Sequence, residues 1–260
     1  MKVLFLLVIM TKAAFANTRL GKIQQLITTT EKPVVIFDLD DTLFYSSSRT
    51  FIIFKELANS DEFQEKYPDQ VKKLLKIKQS EIEYSIKETL TNAGITHEEF
   101  LNEALDYWKE RFFTDEYVKE DTPVEGGREY VHKLKYLGAT IVYLTGRDHT
   151  MRAGTIESLE NSGFPYDAIT SILITKERFD IPDIDYKKAA FKKIDKLGNV
   201  VAFFENEPKN LNAMIENFPN AVPVFLDIKH SPAPVKPSEK AIKIKNYIFK
   251  PVTSTCLLLN

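Results

Sequence analysis

Residues 34–43 read VVIFDLDDTL, in which four apolar residues lead directly into the three carboxylates Asp38, Asp40 and Asp41. A short apolar run rich in β-branched residues is typical of a strand buried in a parallel sheet. We therefore expect Asp38 at the carboxyl end of such a strand. Carboxylates two residues apart repel each other unless a cation is present or one of them stays protonated. The stretch predicts a strand and, at its end, a site with concentrated negative charge.

Three further runs have the same character, with apolar residues followed by polar ones: 139–148 (ATIVYLTGRD), 199–210 (NVVAFFENEPKN) and 221–227 (AVPVFLD). Strands that alternate with helix-like sequence favour an α/β fold with a three-layer, Rossmann-like parallel sheet. Ligands of such sheets bind beyond the carboxyl ends of the strands. The first three polar clusters are therefore expected to meet at one site.

The sequence between the first two strands has long segments with helical spacing and many charges, and it contains no strand-like run. We predict a helical cap over residues 48–117, inserted after the first strand of a catalytic core formed by 17–47 and 118–260. The aromatic residues of the cap are expected to pack its interior: Tyr107, Trp108, Phe112 and Phe113.

The N-terminus has the order of a signal peptide. Lys2 precedes an uncharged apolar run, and Ala14-Phe15-Ala16 suits cleavage before Asn17. The alternative is a buried N-terminal strand of a cytoplasmic protein. We expect residues 1–16 to be a signal peptide and the mature protein to be periplasmic or secreted, without a stable membrane anchor.

The charge balance argues against a nucleic-acid polymer as partner. The chain has 35 basic and 37 acidic residues and a formal net charge of -2, so it creates no overall field that attracts a polyanion. A small phosphorylated substrate fits the strand-end carboxylates better. Mg²⁺ relieves their repulsion, takes oxygen ligands and bridges to phosphate, while a neighbouring carboxylate can attack phosphorus.

Four motifs resemble those of the haloacid dehalogenase (HAD) superfamily in order and approximate spacing: DLDDTL, VYLTG, YKKAAF and FFENEPKN, within about residues 32–228. The first motif is also similar to that of secreted bacterial acid phosphatases. The resemblance implies that Asp38 is the nucleophile and Asp40 the general acid and base, with the Asp40 carbonyl on the metal. An Asp at position 40 implies a phosphatase or phosphomutase rather than a dehalogenase. Asp41 is expected to be structural.

The second and third motifs imply further roles. Thr145 would hold the phosphoryl group, and the Gly146 N–H would approach it at the start of a helix whose dipole favours anions. Arg147 either reaches the substrate or faces solvent. The resemblance calls for a catalytic lysine, for which Lys187 is preferred and Lys188 stays open.

The fourth motif departs from the family pattern, which usually has Asp. Here Glu205 and Asn206 stand in its place, and Asn210 follows. We expect Asp38, Asp40, Glu205 and Asn206 to be the metal ligands, with Glu205 binding Mg²⁺ directly or through water. Asn210 is a candidate support for metal or ligand.

The sequence therefore predicts a Mg²⁺-dependent phosphatase that hydrolyses phosphate monoesters, sugar phosphates or nucleotides among them, through an aspartyl-phosphate on Asp38. Two alternatives remain from the sequence. One is a phosphomutase, and the other is a catalytically impaired protein on the same fold that binds a phosphate ligand.

Overall fold

The computed structural model describes residues 20–232 and 234–248, and its centre is a sheet of six parallel strands. The order across the sheet is β5-β4-β1-β6-β7-β8. The strands are β1 (Pro33–Phe37), β4 (Thr140–Asp148), β5 (Ser171–Lys176), β6 (Asn199–Glu205), β7 (Val222–Leu226) and β8 (Ile242–Ile244). Because β1 lies between β4 and β6, the polar clusters that follow these three strands end side by side.

Helices cover both faces of the sheet. They are α1 (Gly21–Thr29), α8 (Gly127–Tyr136), α9 (Arg152–Asn161), α10 (Asp183–Ile194) and α11 (Pro208–Asn217). Alternate residues of β1 enter different cores: Val35 and Phe37 pack with residues of α1 and α8, and Val34 and Ile36 pack with residues of α10 and α11. This accounts for the unbroken apolar run of β1, since a strand covered on both faces has no solvent side. The predicted three-layer α/β fold is confirmed.

The segment between β1 and β4 is helical, as its sequence indicates. It contains α2 (Ser47–Asn59), α3 (Asp61–Lys66), α4 (Pro68–Leu74), α5 (Ile86–Asn92), α6 (Glu98–Phe112) and α7 (Asp115–Val118), with a 3₁₀ helix over Gln79–Glu81. These helices have a hydrophobic cluster of their own, which includes Phe54, Phe63, Leu90 and Phe100. We call residues 47–118 the helical insert.

Two of the attachments of the helical insert to the core lie near its ends. A short antiparallel ribbon joins β2 (Phe44–Tyr45) to β3 (Thr122–Pro123), so the outgoing and returning chains run side by side. Farther on, the Gly154 N–H of α9 donates to Asp115 Oδ1 at 2.6 Å. A Cβ at Gly154 would lie 2.2 Å from the Asp115 carbonyl oxygen, so only glycine permits this approach.

Two strands of the central sheet were not predicted, nor were the short strands β2 and β3. β5 and β8 are the edge strands of the sheet, with six and three residues. β5 has only three consecutive apolar residues between polar ones, and β8 lies in a polar C-terminal segment, so neither has the longer apolar run of β1. The predicted signal peptide lies outside the described residues. Within the described ranges, no helix is both long enough and apolar enough to cross a bilayer.

Candidate active site

A cavity of about 410 Å³ lies at the carboxyl ends of β1, β4 and β6, below the helical insert. Most of the residues predicted from the four motifs line it: Asp38, Asp40, Gly146, Arg147, Lys187, Glu205 and Asn206. The strand ends therefore converge as expected. Thr145 is completely buried one residue before Gly146 and does not belong to the cavity lining.

Lys187 joins two carboxylates from neighbouring strands. Its Nζ donates to Asp38 Oδ1 at 2.7 Å and to Glu205 Oε2 at 2.6 Å, and all three residues are buried. Burial raises the pKa of Asp38 well above its ordinary value, and the Glu205 charge adds to this although Lys187 opposes it. Burial alone would lower the pKa of Lys187, but Asp38 and Glu205 outweigh it and raise the pKa. This buried group therefore consists of two carboxyl side chains and one ammonium.

The donor atoms around this group suit a hard divalent cation. One positive charge on Lys187 does not balance both carboxylates, and the ligands on offer are oxygen atoms, which Mg²⁺ prefers. Among the described residues, no group of three or more His, Cys, Asp or Glu side chains is arranged to hold a metal ion. Mg²⁺ commonly takes only one or two carboxylates and keeps several waters. The residues therefore fit Mg²⁺ with Asp38 and Glu205 as the acidic ligands.

Asp40 is held by two arginines. Asp40 Oδ1 accepts from Arg147 Nη2 and Arg49 Nη2, both at 2.7 Å, and Oδ2 accepts from Arg147 Nε at 3.2 Å. Burial alone would raise the pKa of Asp40, but the Arg147 and Arg49 guanidiniums outweigh it and hold the pKa well below its usual range. The ionised form of Asp40 is therefore strongly favoured.

Asp121 completes this arrangement. It lies between α7 and β3, and its side chain is fully buried. Its carboxylate accepts from Arg49 Nε at 3.0 Å, Arg49 Nη2 at 2.5 Å and Arg147 Nη2 at 2.6 Å. We call Asp40, Asp121, Arg49 and Arg147 the arginine–aspartate cluster.

Asp41 has a different role from its two acidic neighbours. It takes a left-handed backbone conformation with φ of 51°, which Asp tolerates better than most residues. Its carboxylate accepts from the Ser46 hydroxyl at 2.7 Å and from the Ser46 N–H at 3.3 Å. Burial raises the pKa of Asp41 to about 7. These bonds stabilise the turn between β1 and α2, which is the structural role that the sequence suggested.

The second motif lies differently from the prediction. Thr145 and Gly146 are part of β4, and the next α-helix begins only at Arg152, so neither residue stands at a helix start. The pairing of β4 with β5 shifts register between Leu144 and Asp148, and Gly146 and Arg147 within this irregular stretch border the cavity. The Arg147 N–H donates to Thr145 Oγ1 at 3.3 Å. The predicted phosphoryl contacts of Thr145 and Gly146 stay predictions, but the helix-dipole argument for them was wrong.

Arg147 does not face solvent, which was one of the two possibilities. It is 2% exposed, and four of its five N–H groups donate to Asp40, Asp121 and Thr155. The structure thus engages its guanidinium with carboxylates of the chain, while its side chain also borders the cavity. Contact between Arg147 and the substrate stays a prediction.

The fourth motif is buried and connects two loops. Asn206 Oδ1 accepts from the Thr42 hydroxyl at 3.4 Å, and its Nδ2 donates to the Lys229 carbonyl oxygen at 2.7 Å. Glu205 Oε1 accepts from the Glu207 N–H at 3.0 Å. Asn210 is also buried and borders the cavity. The side chain of Asn206 therefore organises the loops around the site, and its binding of a metal stays a prediction.

An aromatic wall formed by Trp108, Phe112, Phe113 and Phe179 closes one side of the cavity. Trp108 stacks on Phe112 with 4.3 Å between ring centroids, and Phe113 meets Phe179 edge-on at 4.8 Å. Tyr107 packs inside the insert as expected. The expectation for the other three insert residues was incomplete, because they pack together and also present their surface to the cavity.

Sequence reasoning did not identify Arg49, Asp121 and Lys229 as site residues. Arg49 and Asp121 are 72 positions apart and outside the four motifs. Lys229 follows β7 and borders the cavity, and its Nζ is buried without a hydrogen-bond partner among the described residues. A signal for Arg49 is its position in the first turn of α2, directly after the first motif.

Comparison with known proteins agrees with this geometry. The model of the HAD superfamily, subfamily IIIB (acid phosphatase), matches residues 80–250, which include the second, third and fourth motifs. No curated protein matches the chain in sequence. The first motif lies outside the matched residues, but the sheet places it between the second and the fourth.

Several solved structures are similar at low identity. A HAD-superfamily hydrolase of subfamily IA from Geobacter sulfurreducens is 17% identical, with 83% of this chain and 92% of that chain covered and a TM-score of 0.48. A haloacid dehalogenase-like hydrolase from Streptococcus pneumoniae is 12% identical (76% and 85% covered, TM-score 0.44). A class C acid phosphatase from Bacillus anthracis with bound tungstate is 14% identical (78% and 69% covered, TM-score 0.39).

The family assignment rests on the family model, which matches more than half of the chain. The sheet order and the strand-end carboxylates agree with it. The chain therefore belongs to subfamily IIIB of the HAD superfamily, the acid phosphatases, and is an enzyme that hydrolyses phosphate esters.

Proposed function

We propose that the protein is a Mg²⁺-dependent phosphomonoesterase that works through an aspartyl-phosphate on Asp38. The observation that carries this proposal is the contact of Asp38 with the Lys187 ammonium at the base of the cavity. Lys187 uses Asp38 Oδ1, and Asp38 Oδ2 has no hydrogen bond to the described residues. An ammonium beside a nucleophilic carboxylate offsets the charge that builds up when a phosphate dianion approaches.

In the first step, an Asp38 oxygen attacks phosphorus and the bond from phosphorus to the ester oxygen breaks. The leaving oxygen takes a proton from Asp40 or, when it leaves readily as an anion, none. In the second step, water attacks the phosphorus of the acyl phosphate and gives a proton to Asp40, which releases inorganic phosphate and free Asp38. The two guanidiniums favour ionised Asp40, which is the form that can accept a proton from water.

Mg²⁺ would be held by Asp38, the Asp40 carbonyl oxygen, Glu205 and Asn206, with Glu205 binding directly or through water. When bound, the ion supplies positive charge to the phosphoryl oxygens. The Lys187 ammonium would reduce the electrostatic repulsion between the Asp38 and Glu205 carboxylates and would orient both side chains.

The aromatic wall supports a substrate whose leaving group contains a planar ring. Trp108 and Phe179 border the cavity with rings that are partly exposed. Such surfaces bind flat aromatic groups by stacking. We therefore favour nucleotides or aryl phosphates over sugar phosphates.

The two aspartates can be separated with an aryl phosphate whose leaving group needs no acid. Asp40→Asn should still be phosphorylated but should hydrolyse its phosphoenzyme slowly, so that rapid quench finds a phenol burst near one equivalent per active site. Asp38→Asn should give no burst. Intact-protein mass spectrometry should find added phosphoryl mass only on the Asp40 variant. Normal turnover by Asp38→Asn would refute the covalent mechanism.

A further inference from the structure

Arg49 belongs to the helical insert, yet its guanidinium lies against a carboxylate of the core. It is 1% exposed and lies in the first turn of α2. Its Nη2 donates to Asp40 Oδ1 at 2.7 Å, and its Nη1 donates at 2.9 Å to the carbonyl oxygen of Phe112, the last residue of α6. The guanidinium carbon also lies 4.1 Å from the centre of the Phe112 ring. One side chain therefore links the first and the longest helix of the insert to Asp40.

Asp121 holds both arginines in place from the other side. It lies where the chain returns from the insert to the core, and each of its oxygens accepts from Arg49 while Oδ2 also accepts from Arg147. With two arginines and two aspartates, the formal charges of the arginine–aspartate cluster cancel. If one charged side chain is removed from such a buried group, the remaining charges are no longer balanced.

These contacts leave Asp40 one orientation. Both of its oxygens accept hydrogen bonds from guanidiniums, while its side chain stays 34% exposed where it borders the cavity. A group that transfers a proton must lie within about 2.6–3.2 Å of the reacting atom. A carboxylate fixed on both oxygens keeps its exposed edge toward the cavity without a search through other rotamers.

We propose that Arg49 and Asp121 are positioning residues that hold Asp40 for the attack of water on the phosphoenzyme, so that this step requires the helical insert to be docked on the core. The inference rests on the proposed function, because it assigns a task to Asp40 in the aspartyl-phosphate pathway. Neither residue needs to touch the substrate. A purely structural role would instead lower the amount of folded enzyme without changing one step selectively.

The test is a double-mutant cycle of Arg49→Met and Asp40→Asn in the full-length protein with Mg²⁺ and 4-nitrophenyl phosphate. In the wild-type background, Arg49→Met should slow phosphoenzyme breakdown at least tenfold, with a phenol burst near one equivalent per folded active site. In the Asp40→Asn background, the same substitution should change breakdown less than twofold, because its target is already lost. If Arg49→Met slows phosphoenzyme breakdown by the same factor in both backgrounds, the inference is overturned.

Three further variants make the result specific. Arg49→Lys should give an intermediate rate, since a lysine keeps the charge but not the forked geometry. Lys55→Met removes a charge from the exposed side of the same helix and should leave the rate unchanged. Arg49→Met with Asp121→Asn removes one charge of each sign and replaces the single variant if that one does not fold; a normal breakdown rate in this folded pair would overturn the inference.

The proposed function is tested first and separately. Normal turnover by Asp38→Asn, or an Asp40→Asn variant that turns over without any phosphoenzyme on Asp38, would overturn the proposed function and this inference together. A phosphoenzyme burst in Asp40→Asn, followed by equal slowing of breakdown by Arg49→Met in both backgrounds, would overturn only the role of Arg49.

Discussion

The Lys187 ammonium donates a 2.7 Å hydrogen bond to Asp38, so a side chain from the second turn of α10 meets the residue that directly follows β1. The contact is buried on both sides, with side chains 3% and 8% exposed. It connects the third motif to the first, 149 positions apart. The choice between Lys187 and Lys188 can be tested on this basis.

Lys187→Met should lower kcat/KM at least a hundredfold, whereas Lys188→Met should change it less than twofold. Lys187 is buried between Asp38 and Glu205, while Lys188 is exposed and outside the cavity. Loss of one partner of a buried ion pair should also lower the free energy of unfolding by about 3–5 kcal/mol. Steady-state kinetics and urea unfolding measure the two effects, and similar losses in both variants would contradict the assignment.

Glu205→Gln should raise the Mg²⁺ concentration for half-maximal activity at least tenfold. The amide keeps an oxygen for the Glu207 N–H but removes the charge that a cation needs. Added Mg²⁺ should raise the Tm of the wild type by mass action and should raise that of Glu205→Gln much less. Glu216→Gln, an exposed change on α11, serves as the control. Full activity of the wild type in excess chelator would argue against the metal site.

Asp41→Asn should flatten the pH dependence of stability. The pKa of Asp41 is about 7 in the folded protein and about 3.9 in an unfolded chain, so folding favours the protonated form. Its contribution is therefore present below about pH 4 and is lost as the pH rises to about 7, with a size of up to about 4 kcal/mol. Asparagine tolerates the left-handed backbone and keeps partners for Ser46.

The measurement is urea unfolding between pH 4 and pH 8 in the presence of chelator. The gain in stability of Asp41→Asn over the wild type should grow across this range and then level off. Asp106→Asn, at an exposed position of α6, should follow the wild type. A gain that does not vary with pH would contradict a raised pKa for Asp41.

Phe179→Ala should lower preference for aromatic substrates. Phe179 is 56% exposed and meets Phe113 edge-on in the aromatic wall, so its removal takes away stacking surface at little risk to the fold. The ratio of kcat/KM for phenyl phosphate to that for glycerol phosphate should fall about tenfold, equivalent to about 1.4 kcal/mol. Tyr136→Ala, which removes a ring that is 91% exposed elsewhere, should leave the ratio unchanged.

Export is a prediction from Ala14-Phe15-Ala16, which lies outside the described residues. Signal peptidase cleavage after Ala16 should produce a mature chain that begins at Asn17. Mass spectrometry of the protein from its native host measures this N-terminus. A chain that retains Met1 in the cytoplasm would contradict the prediction.

The strand-end residues could be predicted because their signal is local. Asp38 and Glu205 each end an apolar run, and parallel strands bring such ends together. The periodicity of α10 also contains the choice between the two lysines: Ala190, Phe191 and Ile194 are buried three, four and seven positions after Lys187, so Lys187 shares their face.

The arginine–aspartate cluster could not be predicted in this way. Arg49 and Asp121 have no local pattern in common, and their contact exists only once the insert has folded back onto the core. The start of the helix after Gly146 was misplaced for a related reason. The register between β4 and β5 shifts there and β4 continues to Asp148, and this depends on pairing with a strand whose own sequence gave little signal.

The two sides of the cavity come from different parts of the chain. The charged groups that would perform the reaction belong to the core, and they include Asp38, Lys187 and Glu205. The insert contributes three of the aromatic residues: Trp108, Phe112 and Phe113. Random mutagenesis confined to Trp108 and Phe113 would therefore leave every reacting atom on its original backbone and would keep the Phe112 ring against Arg49. Such a library offers a route to enzymes of new selectivity that retain the same phosphate chemistry.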